Sequence, residues 1–250
     1  MKRMLGGLML AAVSLGPAGV ARAADDTAAQ KLIDQAVRAQ AGTPERLEKM
    51  ANMTQTMRGG MTSPAGELPA RRNVEARWPE HCRITTDLVF NDQQARVVLT
   101  LAGSRGWRAG PEGPAEMSAA ELDELRAEVY ASWVTTLLPL KEKGWAFSLL
   151  PEARVNGRDA VGVRVTRKGR PDVQLYFDKQ THLPVKTVFR AKEAGLNIVK
   201  EWVLSDHKSF EGLTLPAKLT VLYDGRKVAT WAVTEYRFPA RIDDATFEKP

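Results

Sequence analysis

The sequence predicts an α+β fold dominated by one large, strongly curved antiparallel sheet, closed or nearly closed. Three observations carry this. Short β-patterned runs recur along most of the chain with turn residues between them. The connections are too short for the crossovers that parallel strands require. One long helical pattern, apolar along one side, interrupts the series and needs a large surface to cover. At 250 residues the chain has length enough to bury a core, and no repeat or linker divides it.

The first element is a leader. Lys2 and Arg3 precede an apolar stretch from Leu5 to Leu15, Gly16, Pro17 and Gly19 are expected to break any helix, and Ala21-Arg22-Ala23 is a small-x-small cleavage site. Residues 1–23 therefore read as a secretory signal peptide, cleaved after Ala23. The apolar run is too short to span ~30 Å of hydrocarbon, and no later stretch approaches ~20 apolar residues. The mature chain, 24–250, is expected as one periplasmic domain with no integral membrane span. The full chain carries +6; without Lys2, Arg3 and Arg22 it has 33 basic against 30 acidic residues, or +3. So mild an excess, spread evenly, is a solvated surface and not a nucleic-acid stripe. The densest basic spots, Arg71-Arg72 and Arg167-Lys168-Gly169-Arg170, read as exposed loop charge.

A helix is expected from Asp25 or Asp26 to Gln40, with Leu32, Ile33, Ala36 and Val37 on one face, ended by Gly42-Thr43-Pro44. A short helical piece follows over 44–50. Met53, Gln55 and Met57 then alternate with Thr54 and Thr56 as a strand entering a hairpin at Ser63-Pro64-Ala65-Gly66. Further strands are expected at 74–78, 83–90 and 96–101, with a turn at Asn91-Asp92, and Gly110-Pro111-Glu112-Gly113-Pro114 reads as a loop.

Ser118-Ala119-Ala120-Glu121 is a capping box, and Leu122, Leu125, Val129, Trp133 and Leu137 follow at spacings of three and four. Tyr130, Val134 and Leu138 widen the stripe, and Pro139 stops it. This predicts a lid helix over 118–138. Beyond it the chain is a meander: strands around Val161–Val165, Val173–Phe177, 183–190, 198–204, 213–223 and 227–238. Asn156-Gly157 and Asp224-Gly225 serve as hairpin turns.

Several strands keep large apolar residues on both sides, unlike a sheet with one wet face. The tryptophans at 78, 107, 133, 145, 202 and 231 are therefore either core anchors or walls of a ligand cavity. The candidate walls are Trp107, Trp133, Leu137, Trp145, Phe147, Trp202 and Trp231.

The chemistry-bearing residues are sparse. One cysteine excludes a disulfide framework and any multi-cysteine zinc site. His81, His182 and His207 share no metal-ligand spacing, and the latter two read as exposed. Cys82 adjoins His81, but neighbours on a strand point to opposite faces. No G-x-S-x-G, P-loop or H-E-x-x-H motif occurs. No catalytic residue, metal or cofactor is expected.

The meander also carries a resemblance. Val155-Asn156-Gly157 through Val163 resembles the V-x-G-x-x-x-x-x-V hairpin of the LolA-like superfamily of outer-membrane lipoprotein carriers and related envelope proteins. Asp178-Lys179-Gln180-Thr181 and Leu183-Pro184-Val185-Lys186 are similar to its D-x-x-T and L-P-V-K signatures, whose aspartate and threonine shape a turn between two strands. Phe210 to Pro216 resembles its entry to the next strand, and Ile242-Asp243-Asp244 with Phe247 and Pro250 its terminus. These matches lie within 150–250. They imply an unclosed antiparallel half-barrel with helices over its concave apolar face. By that resemblance the expected ligands are lipid or lipoprotein acyl chains, bound without catalysis. An envelope interaction or sensor module with a protein partner, and a hydrolase lacking known signatures, remain as alternatives.

Overall fold

The computed structural model describes residues 18–63, 66–90 and 93–250, with side chains from Asp26 onward except that of Phe90. The expected leader lies, up to residue 17, outside the described residues, as do Pro64-Ala65 and Asn91-Asp92 of the expected turns.

Helix α1 (Ala18–Ala41) starts ahead of the expected Asp25 or Asp26 and takes in Gly19 without the expected break. Of the face read from the sequence it buries Ile33, Ala36 and Val37 and half-buries Leu32, and it buries Ala29 and Gln40 as well. Gly42, at φ 77°, ends it by returning its N–H to the Arg38 carbonyl at 2.8 Å, a left-handed cap. A 3-10 turn over Pro44–Ala51 follows and buries Leu47 and Met50. The first meander then comprises β1 (Asn52–Ser63), β2 (Gly66–Arg77), β3 (His81–Phe90), β4 (Gln93–Ala102), β5 (Arg105–Gly110) and β6 (Gly113–Glu116). After α2 (Ala119–Thr135), the second comprises β7 (Trp145–Val155), β8 (Arg158–Arg167), β9 (Val173–Asp178), β10 (Pro184–Glu193), β11 (Leu196–Phe210), β12 (Leu213–Tyr223) and β13 (Arg226–Arg237).

Among the described residues these thirteen strands form one antiparallel, unclosed sheet in the order β6-β5-β4-β3-β2-β1-β13-β12-β11-β10-β9-β8-β7. The meanders meet where β1 pairs with β13. That seam needs glycine at 59, because a Cβ there would sit 1.9 Å from the Thr230 carbonyl oxygen. The order also dictates where α2 goes. The chain leaves β6 at one free edge and must enter β7 at the other. It crosses the concave face, packing on β4 at one side and on β9 and β10 at the other. At ~1.5 Å per residue the seventeen residues of α2 cover about 25 Å of that path.

Four further expectations are corrected. The 110–114 segment is a hairpin and not a loop: β5 and β6 pair through Ala109 and Pro114. Pro114 is tolerated because β6 is an edge strand, where a missing N–H breaks no ladder bond. The lid helix stops at Thr135, short of 138, because Leu137 adopts a left-handed φ of 65° two residues before Pro139. Arg71 and Arg72 lie within β2 and not in a loop; Arg71 is exposed but Arg72 turns inward. His182 and His207 are half-buried and not exposed, and His207 Nε2 lies 2.9 Å from the Pro184 carbonyl. No helix among the described residues is long and apolar enough to cross a membrane.

Candidate ligand cavity

α2 is fastened at both ends. At its start the Ser118 hydroxyl accepts the Glu121 N–H at 3.3 Å, and the Glu121 carboxylate accepts the Ser118 N–H at 2.8 Å. That bond and the Ser118 hydroxyl hold the Glu121 carboxyl below its ordinary value, and Arg108 pairs with it at 3.0 Å. At its end Gln40 of α1 donates to the Thr136 carbonyl at 3.1 Å, and the Thr135 and Thr187 hydroxyls lie 3.0 Å apart. Between these anchors the helix touches the sheet along both flanks but leaves space beneath.

That space is a cavity of about 490 Å³, within the ~300–1,000 Å³ typical of small-molecule sites. Leu125 and Val129 of α2 form its roof, while Val74, Ile84, Leu99, Trp202, Leu215 and Trp231 contribute to the sheet side. Its most distinctive lining is methionine. Met50, Met53, Met57, Met61 and Met117 are all of the methionines beyond residue 23, and every one lines the cavity. Unbranched thioether side chains refill space at little rotameric cost, so such a wall adapts to a flexible apolar guest.

The candidate wall residues divide. Trp202 and Trp231 line the cavity. Trp133 and Trp145 stand on the far flank of α2, in an aromatic cluster with Tyr130 whose ring centroids are 6.1–6.4 Å apart. Leu137 and Phe147 are buried in the main core, and Trp107 of β5 is buried beneath Arg105, whose guanidinium lies 5.0 Å from the indole. None of these five is on the lining. Residues that sequence reasoning passed over include the five methionines, Arg72, Glu128 and Lys200. The Met53–Met57 alternation was the one available signal.

A polar group closes one side. Lys200 is only 2% exposed; its ammonium lies 2.7 Å from Glu193 and 3.4 Å from Glu128, and over the Tyr223 ring at 4.8 Å. Burial alone would lower its pKa, but the two carboxylates outweigh that and hold it above its ordinary value. Arg72 lies across the Trp231 ring at 4.5 Å and donates through Nε to the Thr86 hydroxyl at 3.1 Å. Burial lowers its pKa, against the pull of Glu128, yet guanidinium stays charged at any ordinary pH.

The reactive side chains are quiet. Burial, with Glu128 and Glu75 nearby, pushes the Cys82 thiol up to about 12, so at neutral pH it is a small hydrophobe and not a nucleophile. Its neighbour His81 packs edge-on against Phe247 at 5.4 Å, on the other side of the strand. Among the described residues no three His, Cys, Asp or Glu side chains are grouped to hold a metal ion. The arrangement can enclose and orient an apolar chain, and among the described residues no hydrogen bond joins a serine, threonine or cysteine side chain of the cavity lining to a histidine, carboxylate or lysine.

No protein-family profile and no curated protein matches the chain in sequence. In three dimensions it is similar to a LolA superfamily protein from Nitrosomonas europaea, with 14% identity and a TM-score of 0.57 over 88% of this chain and 97% of that one. A DUF1329 family protein from Desulfovibrio piger gives 14% identity and a TM-score of 0.55 over the same shares. A domain ascribed to outer-membrane lipoprotein sorting in Vibrio parahaemolyticus gives 14% and 0.50 over 82% and 97%. The turn at Asp178 has the form that the D-x-x-T resemblance implied: its carboxylate accepts the Thr181 N–H at 2.8 Å and hydroxyl at 3.0 Å. The chain has the LolA-like fold.

Proposed function

We propose that the protein is exported by residues 1–23 and, as the single domain 24–250, binds the acyl chain of a lipid or lipoprotein in the periplasm without transforming it. The observation that supports this reading most directly is the methionine-walled cavity under α2. Each buried methylene contributes ~0.8 kcal/mol. A long chain thus gains on the order of ten kcal/mol, against which stand the costs of ordering and association. Such binding rests on area and shape, so it fits a site with no nucleophile–base pair. The similarity to a domain ascribed to lipoprotein sorting agrees with it.

Delipidated protein titrated with a fluorescent long-chain fatty acid tests the reading. Saturable one-to-one binding supports it; no binding at high micromolar probe overturns it. A pull-down that returns an envelope protein while the cavity stays empty would favour the competing partner-binding role.

A further inference from the structure

Resting on the acyl-chain reading, we propose that Arg72 receives a single negative charge at the head of the ligand, so that the cavity selects a monoanionic amphiphile over its neutral counterpart. Other cations around the cavity are neutralised by carboxylates. Lys200 has Glu193 at 2.7 Å and Glu128 at 3.4 Å, and Arg108 has Glu121 at 3.0 Å. Arg72, which lines the same cavity, has no carboxylate within 4 Å among the described residues.

Its guanidinium is nevertheless held in place. Nε–H donates to Thr86, directly opposite it on β3, and the planar group rests on Trp231, which is fully buried. These contacts use one N–H and one face. The terminal N–H groups, on the outer edge of the fork, have no protein acceptor among the described residues. Partly desolvated charged donors without acceptors are costly, and a planar oxyanion satisfies two of them at once.

The surroundings limit the charge accepted. Glu121, Glu124, Glu128 and Glu193 also line the cavity, so a second negative charge on the guest would meet carboxylates. The shared chemistry is therefore a monoanionic oxygen head on an apolar chain. A free carboxylate and a lysophospholipid phosphodiester both supply it.

The test measures affinities at sub-micellar concentration and neutral pH for two pairs: palmitate with methyl palmitate, and lysophosphatidylglycerol with monopalmitoylglycerol. A preference of about tenfold or more for the anion in either pair is expected from a charge-assisted fork, and the pair that shows it identifies the source. Arg72→Met should abolish the preference. Arg72→Lys, which keeps the charge but loses the fork, and Thr86→Val, which frees the guanidinium, should each reduce it. These two keep the test decisive if Arg72→Met fails to fold. Equal binding within both pairs by the unaltered protein, or a preference that survives Arg72→Met, overturns the assignment and leaves the acyl-chain reading standing. Failure of all four compounds to bind overturns that reading and the assignment with it.

Discussion

Glu128 of α2 and Lys200 of β11 join lid to sheet, with 3.4 Å between carboxylate and ammonium. Glu193 holds the same ammonium at 2.7 Å from the end of β10. Lys200→Met would leave two carboxylates without their counter-ion, although both are partly solvated. We expect a loss of about 2 kcal/mol in urea denaturation, below the 3–5 kcal/mol of a fully buried pair. The Lys200 pKa is raised on folding, so its contribution is complete below the unfolded value near 10.4 and fades only as pH rises past it. The penalty of Lys200→Met should therefore be flat from about pH 5 to 9; a penalty that vanishes within this range would show that the tie does not hold the lid.

Asp178 offers a second test of the architecture. Its carboxylate is 2% exposed, accepts the backbone N–H groups of Gln180 and Thr181, and pairs with Arg158 at 2.9 Å. Burial opposes ionisation, but these bonds prevail and its pKa is lowered. Its stabilisation is then present above the unfolded value near 3.9 and is lost as pH falls below it. Asp178→Asn should cost about 2–3 kcal/mol at pH 7 and flatten the acid limb of the stability–pH curve. An unchanged acid limb would assign acid sensitivity to other groups.

Much of this fold can be read from local sequence because its turns require particular residues. Asn156-Gly157 and Asp224-Gly225 both adopt paired positive φ, at 49° and 79° and at 47° and 76°. Only a few residue types accept such angles cheaply. Ala194-Gly195 makes the same turn, at 49° and 79°, without the usual first residue. The Gly195 N–H is tied to Glu124 of α2 at 3.0 Å, a long-range contact that local sequence does not announce. The site was less legible for a related reason. α2 is apolar on two flanks, and the sequence does not say which one roofs a cavity. Leu125 and Val129 do so, while Trp133 joins Trp145 on the other side. Arg72 looked like loop charge because Gly66, Pro69 and Asn73 give the stretch around it a turn-like composition. Its inward position follows from pairing with Met57 and Thr86, and pairing is a property of the sheet.

Filling the cavity should separate binding from stability. Ser132 of α2 lines the space and is half-buried. Ser132→Phe would place a ring where the proposed guest would lie, in room that already exists, at a stability cost of about 1 kcal/mol or less. Fatty-acid affinity should fall at least about tenfold, with the melting temperature nearly unchanged. Undiminished affinity in a folded variant would place the ligand elsewhere.

In the proposed complex the acyl chain lies between α2 and the sheet. The most direct measurement is photo-crosslinking with a fatty acid that carries a diazirine near its methyl end, followed by mass-spectrometric mapping of the adducts. Adducts are expected on cavity residues such as Met53, Met57, Leu99, Val129 and Trp202, suppressed by excess unlabelled fatty acid. Adducts confined to exposed apolar positions such as Val89 and Leu196, with none in the cavity, would contradict this placement.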